Sequence, residues 1–91
     1  MMDINTVINR IKNRLIIRNL WMIVEFDYCK IDDNMLSIQF YYNHKPIDAE
    51  FNICVDGIKI SLYENEIELV ISNTIDEIIY SMIESVETYI A

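Results

Sequence analysis

His44 is the single histidine of the chain, and Cys29 and Cys54 are its two thiols, so nucleophilic or metal chemistry would have to start with them. A general base or metal ligand needs an orienting partner or further ligands beside it. The run Asn43-His44-Lys45-Pro46 supplies turn residues instead. Neither cysteine belongs to a CxxC pair or a Cys/His run with zinc spacing, and neither has a cluster of cations or a helix N-terminus written around it, as an activated thiol needs. Both read as inert, reduced thiols. Asp32-Asp33-Asn34 and Glu64-Asn65-Glu66 are calcium-ligand residue types, but they lack the central Gly and terminal Glu of a calcium loop. Glu25 and Asp27 would do acid–base work only in a cleft that separates their pKa values, which an open sheet face does not provide. With Gly57 as the only glycine, no Gly-rich phosphate loop is possible. The expectation is a protein without catalytic residues, cofactor or metal.

The carboxylates carry the remaining signal. After Lys59 no basic residue occurs, yet Glu64, Glu66, Glu68, Asp76, Glu77, Glu84 and Glu87 do. Four of the seven Lys and Arg fall instead between Arg10 and Arg18, in a chain of net charge −8. Such a field attracts basic partners and opposes direct nucleic-acid binding, which would need a net basic face.

A chain of 91 residues makes one small domain with a single core. Apolar residues make up 53% and are spread throughout, which argues against disorder. The N-terminal MMDINTVINRIKNR has no uninterrupted apolar run or small-residue cleavage site, so a secretory leader is not expected. No apolar run approaches a membrane span. A cytoplasmic setting is expected, that of the host if the protein is phage-encoded.

Periodicity defines the elements that must position these groups. Ile4, Val7, Ile8, Ile11 and Leu15 have helical spacing, with Asp3 as N-cap and Arg14 and Arg18 near the C-terminal end. Arg10 and Arg14 fall on one flank of the apolar stripe and Lys12 on the other. From Leu20 to Lys30 the pattern alternates, with Met22, Val24, Phe26 and Tyr28 on one side. Asp32-Asp33-Asn34 is a turn, and Leu36, Ile38, Phe40 and Tyr42 face inward on the next strand. Asn43 to Pro46 forms a second turn. Ala49, Phe51, Ile53 and Val55 follow, then Asp56-Gly57 as a type I′ hairpin, then Ile58, Ile60 and Leu62. Ile67, Leu69 and Ile71 alternate with Glu66, Glu68 and Val70. Clustered β-branched residues favour a fifth strand there over the first turns of the last helix. Thr74 to Tyr89 is an amphipathic helix, with Thr74 and Glu77 at capping-box spacing.

The expected fold is α+β: an antiparallel four- or five-stranded meander with the N-terminal and C-terminal helices on one face. The other face would hold Glu25, Asp27, Asp48 and Glu50, with Ser37, Gln39 and Tyr41 between them.

Two acidic surfaces then stand out. Glu64, Glu66 and Glu68 recur every second residue and project as a row, roughly 6.5–7 Å apart, a spacing comparable to successive phosphates. On the last helix, Asp76, Glu77, Glu84 and Glu87 surround Tyr80, away from the apolar stripe. Charge for solubility and edge protection is the competing explanation. In size, charge, element order and the segments ENEIELV and TIDEIIYSMIESVE, the chain resembles the small acidic inhibitors of phages, anti-CRISPR proteins and other nucleic-acid mimics. That resemblance implies a non-catalytic partner for the basic nucleic-acid-binding surface of a host nuclease such as a CRISPR effector. The second expectation is an immunity-type or assembly protein. It would use apolar groups on the open sheet face, such as Trp21, Ile23 and Tyr41, and could form a homodimer.

Overall fold

A computed structural model describes residues 3–91. Helix α1 spans Ile4–Ile17, followed by strands β1 (Val24–Asp32), β2 (Met35–Tyr42), β3 (Lys45–Pro46), β4 (Phe51–Asp56), β5 (Lys59–Glu64) and β6 (Ile67–Ser72), and helix α2 (Ile75–Ile90). The sheet is antiparallel throughout, in the order β1-β2-β4-β5-β6, with the two-residue β3 paired beside β4's position on β2. Both helices cover one face, so the protein is the two-layer α+β domain that its periodicity predicts.

Asp3 caps α1: its carboxylate accepts from the N–H groups of Asn5 and Thr6 at 3.1 and 3.4 Å. Hydrogen bonding from Thr6 lowers the Asp3 pKa. The helix ends at Asn19, whose φ of 59° is left-handed. Asn19 donates to the Ile16 carbonyl and Leu20 to that of Leu15, a Schellman arrangement. This closure draws Leu20 into the core and delays β1 until Val24. Trp21, Met22 and Ile23 therefore lie in the α1–β1 connection, not on a strand, and Met22 is 90% exposed.

The core joins Val7, Ile11 and Leu15 of α1 to Ile78, Ile79, Met82, Ile83 and Val86 of α2 over Leu36, Ile38, Phe40, Phe51, Ile53 and Leu62. Fully burying each such side chain contributes roughly 1.5–3 kcal/mol. No charged or polar side chain among the described residues is buried.

Turn chemistry sets the registers. Asp32 Oδ1 accepts from the Asn34 N–H at 2.7 Å, the expected Asx turn. Asn43 and His44 both have positive φ (53° and 64°), making a two-residue loop of the I′ kind, so Lys45 and Pro46 already belong to β3. At the next hairpin Asp56 pairs with Lys59, leaving Gly57 and Ile58 in the loop. Only Gly57 has positive φ (64°), which suits a II′ turn with Gly first, in place of the expected I′ turn centred on Asp56-Gly57. Ile58 is consequently 80% exposed instead of starting an inward row. The capping box of α2 is also not formed. Thr74 makes no side-chain cap bond; its N–H donates to Ser72 Oγ at 3.1 Å.

His44 occupies a left-handed position at a cost that glycine would not incur. His44→Gly should raise stability by about 0.5–1 kcal/mol, the left-handed penalty less the entropy of glycine. Thermal denaturation followed by circular dichroism should show a melting temperature a few degrees higher.

Candidate functional site

The acidic face of α2 meets the basic flank of α1. The helices run parallel, and Arg10 bridges to Asp76 at 3.2 Å while Arg18 bridges to Glu87 at 2.9 Å. Between them the Arg14 guanidinium lies 5.3 Å from the centre of the Tyr80 ring, a cation–π contact. The hydrogen bond from Arg18 to Glu87 raises the arginine's pKa. Three of the five residues expected to face a basic partner are therefore matched by the protein's own arginines. Glu77 and Glu84 remain outside these pairs. Lys12, on the opposite flank of α1, lines a groove beside β1.

The expected row of Glu64, Glu66 and Glu68 is not formed, because the chain reverses within it. Asn65 and Glu66 are the two loop residues of the β5–β6 hairpin, with φ of 50° and 69°. Glu64, opposite buried Phe51, ends β5 on the helix side of the sheet. Its carboxylate accepts hydrogen bonds from the Ser85 hydroxyl and, at 2.7 Å, from Tyr89. Glu68 pairs with Tyr63 on the open face, where the Tyr63 hydroxyl donates to it at 3.2 Å. Strand β6 also bulges at Leu69, since Leu62 pairs with Val70 and Tyr63 with Glu68. The inward residue is thus Val70, and Ile67, Leu69 and Ile71, expected to be buried, are exposed.

Asp48 and Glu50 likewise lie off the open sheet face. They occupy the β3–β4 connection, where Ala49 turns inward and its N–H donates to the Ile47 carbonyl. Asn65 then ties this connection to the β5–β6 turn. Its side-chain oxygen accepts from the Glu50 N–H at 2.9 Å, and its own N–H donates to the Glu50 carbonyl at 2.9 Å. The result is one corner bearing Asp48, Glu50, Glu64 and Glu66. Among the described residues, no Lys or Arg forms an ion pair with any of these four. The shared field is visible at Tyr89, whose pKa is raised by its hydrogen bond to Glu64, then by burial and by the charges of Glu64 and Asp48.

No protein-family model matches the chain, and neither a curated protein nor a solved structure matches it.

On the open face, Glu25 and Asp27 sit opposite Tyr41 and Gln39. Burial raises the Tyr41 pKa, and the adjacent Asp27 adds to the shift. Glu25 lies 3.1 Å from His44 Nδ1, with both side chains well exposed. A histidine–carboxylate pair is thus present, in solvent, with Glu25 also lining the groove beside β1. Cys29 and Cys54 are free. They face Ser37 and Met35 on opposite sides of β2, about two strand spacings apart, beyond disulfide reach. Burial, with the charge of Asp32 second, raises the Cys54 pKa. No group of three or more metal-ligating side chains occurs among the described residues, and none of their helices is long and apolar enough to cross a membrane.

Ser85, Tyr89 and Asn65 organise the corner without having stood out in the sequence. In the sequence Tyr89 falls within the apolar repeat of the last helix, and nothing singles out Ser85. The Asn in ENE was the available signal, since Asn is the residue most tolerant of left-handed turns after Gly.

Two measurements follow from this chemistry. An alkylating reagent near neutral pH should modify exposed Cys29 well before Cys54, as resolved by peptide mass spectrometry. Tyr41, Tyr63 and Tyr89 all have pKa values raised above the ordinary 10.0 in the fold. Their protonated forms contribute stability that is complete below pH 10 and is lost as pH rises through the raised values. Denaturation midpoints should fall above about pH 10, and less steeply in Glu64→Gln, which lacks the charge holding the Tyr89 proton.

Proposed function

We propose that the protein is a non-catalytic acidic interaction module that docks on a basic surface of a partner protein. The observation that carries this reading is the corner of Asp48, Glu50, Glu64 and Glu66, brought together from two separate connections and left without intramolecular cations. A protein whose arginines pair with α2 has seven basic residues against fifteen acidic ones, and the surplus concentrates away from the helix pair. Such a field steers association with basic grooves and makes it salt-dependent. Every charged side chain among the described residues is at the surface, which suits recognition better than catalysis by desolvated groups.

The kind of partner follows from the same chemistry. A concentrated set of carboxylates competes with phosphates for Lys and Arg, so a nucleic-acid channel is the matching surface. The resemblance to phage inhibitors makes CRISPR effector nucleases the first class to test. Glu64 anchors α2, so the contacts to change are Asp48, Glu50 and Glu66, with Glu77 and Glu84 as a comparison surface.

The decisive experiment is competition between the protein and labelled DNA for the channel of CRISPR effector nucleases, at low and high salt. The protein should displace DNA at low salt. The combined Asp48→Lys, Glu50→Lys and Glu66→Lys variant should lose tenfold or more in affinity, roughly the effect of removing about 1.4 kcal/mol. Glu77→Lys with Glu84→Lys should have little effect. Displacement that is insensitive to salt and to the corner variant would refute the reading.

A further inference from the structure

Helix α1 carries a second side-chain row beside its core row of Val7, Ile11 and Leu15. Ile8, Lys12 and Ile16 recur every fourth residue, so they share one flank of the helix. Ile8 and Lys12 on that flank face β1, an edge strand with one side unpaired. Between helix and strand lies a groove of about 640 Å³ lined by Ile8, Lys12, Trp21, Met22, Phe26 and Tyr28. Its volume falls within the roughly 300–1,000 Å³ of small-molecule sites, and its lining is mostly apolar, as in such sites. The α1–β1 connection that supplies Trp21 and Met22 is held in place. The Ile23 and Val24 N–H groups both donate to the Leu20 carbonyl, at 3.0 and 2.9 Å, and fix the turn that presents these two side chains. No element of the fold covers the apolar groups gathered here. Met22 is 90% exposed and Tyr28 51%, whereas Val24, in the same row of β1 as Tyr28, is buried.

The polar groups of the groove select its ligand. Arg10, Arg14 and Arg18 engage α2, whereas Lys12 has no ion pair among the described residues. Its ammonium is the one cation in the lining. Glu25 reaches the rim from the other face of β1, and its carboxylate lies 3.1 Å from His44 Nδ1. We propose that the groove binds a single-chain amphiphile with an anionic head, a medium-chain carboxylate, with its head at Lys12 and its chain along Ile8, Phe26 and Trp21. The chain covers apolar surface that is otherwise wet, and the carboxylate gives Lys12 the partner that it lacks. The net charge of −8 opposes any anion at long range, but in about 0.15 M salt that field is largely screened beyond about 8 Å. The groove and the acidic corner lie toward opposite edges of the sheet, so binding at one is independent of the other.

Trp21 is the only tryptophan of the chain, so its fluorescence reports directly on the groove. Titration with decanoate, kept below the concentration at which it forms micelles, should change that emission saturably, and calorimetry should give one site per chain. Decylammonium, with the same chain length and the opposite charge, should bind more weakly. Lys12 is exposed, so its variants should remain folded by circular dichroism. Lys12→Glu, which replaces attraction by repulsion, should weaken decanoate about tenfold and strengthen decylammonium. Lys12→Arg should retain decanoate. The absence of a saturable Trp21 response, decylammonium binding as tightly as decanoate, or full decanoate affinity in folded Lys12→Glu would each overturn the proposal. So would Trp21 emission that shifts with protein concentration alone, or a response to phospholipid vesicles without one to decanoate, since these would mark a second copy or a bilayer as the occupant.

Discussion

The rest of the fold depends on burying one apolar sheet face beneath two parallel helices. Ile11, Leu15, Ile79, Ile83 and Val86 meet Phe40, Phe51, Ile53 and Leu62 there, each at 2% exposure or less. At roughly 1.5–3 kcal/mol per buried side chain, this seam outweighs the ion pairs at its rim, since exposed pairs contribute about 0–1 kcal/mol each. Arg10, Arg14 and Arg18 therefore do not hold the helices together. They accompany a packing that apolar contact already secures, and they match the rim of α2 in charge. Parallel helices also place like ends of their dipoles side by side, and Asp76 at the α2 start and Arg18 at the α1 end have signs that oppose this repulsion.

That pairing changes the meaning of the uneven charge distribution along the chain. A basic N-terminal helix and an acidic C-terminal helix look like separate surfaces for separate partners. In the fold they face one another, and part of the acidic bias is used within the molecule. The carboxylates with a free field are those of the corner, where Asn65 binds the Glu50 backbone and Glu64 holds Ser85 and Tyr89. Glu64 is at once part of the acidic surface and the anchor of the last turn of α2. Recognition and stability are thereby coupled at one side chain.

Much of the architecture was legible in the sequence. Both helices, the alternating strands and the Asp32–Asn34 turn correspond closely to the structure, because each depends on local periodicity or local capping. The site was much less legible. Glu64, Glu66 and Glu68 have strand spacing, yet a turn at Asn65-Glu66 sends the first to the helix side, the second into the loop and the third to the open face. Asp48 and Glu50 alternate like strand residues but belong to a connection that Asn65 ties down. Trp21 and Ile23 alternate with their neighbours as well, yet the Schellman closure at Asn19 keeps them out of β1.

The sequence by itself determined which segments are helix and strand, which stripes must be buried, and that the protein is strongly acidic. These follow from side-chain spacing and charge count, which need no partner segment. Tertiary structure alone decided which charges remain free and which face each carboxylate occupies. A strand's faces exchange with a one-residue change of register, and register here depends on left-handed turns, a bulge at Leu69 and contacts between residues far apart in the chain. The acidic corner and the open β1 edge exist only once those registers are set.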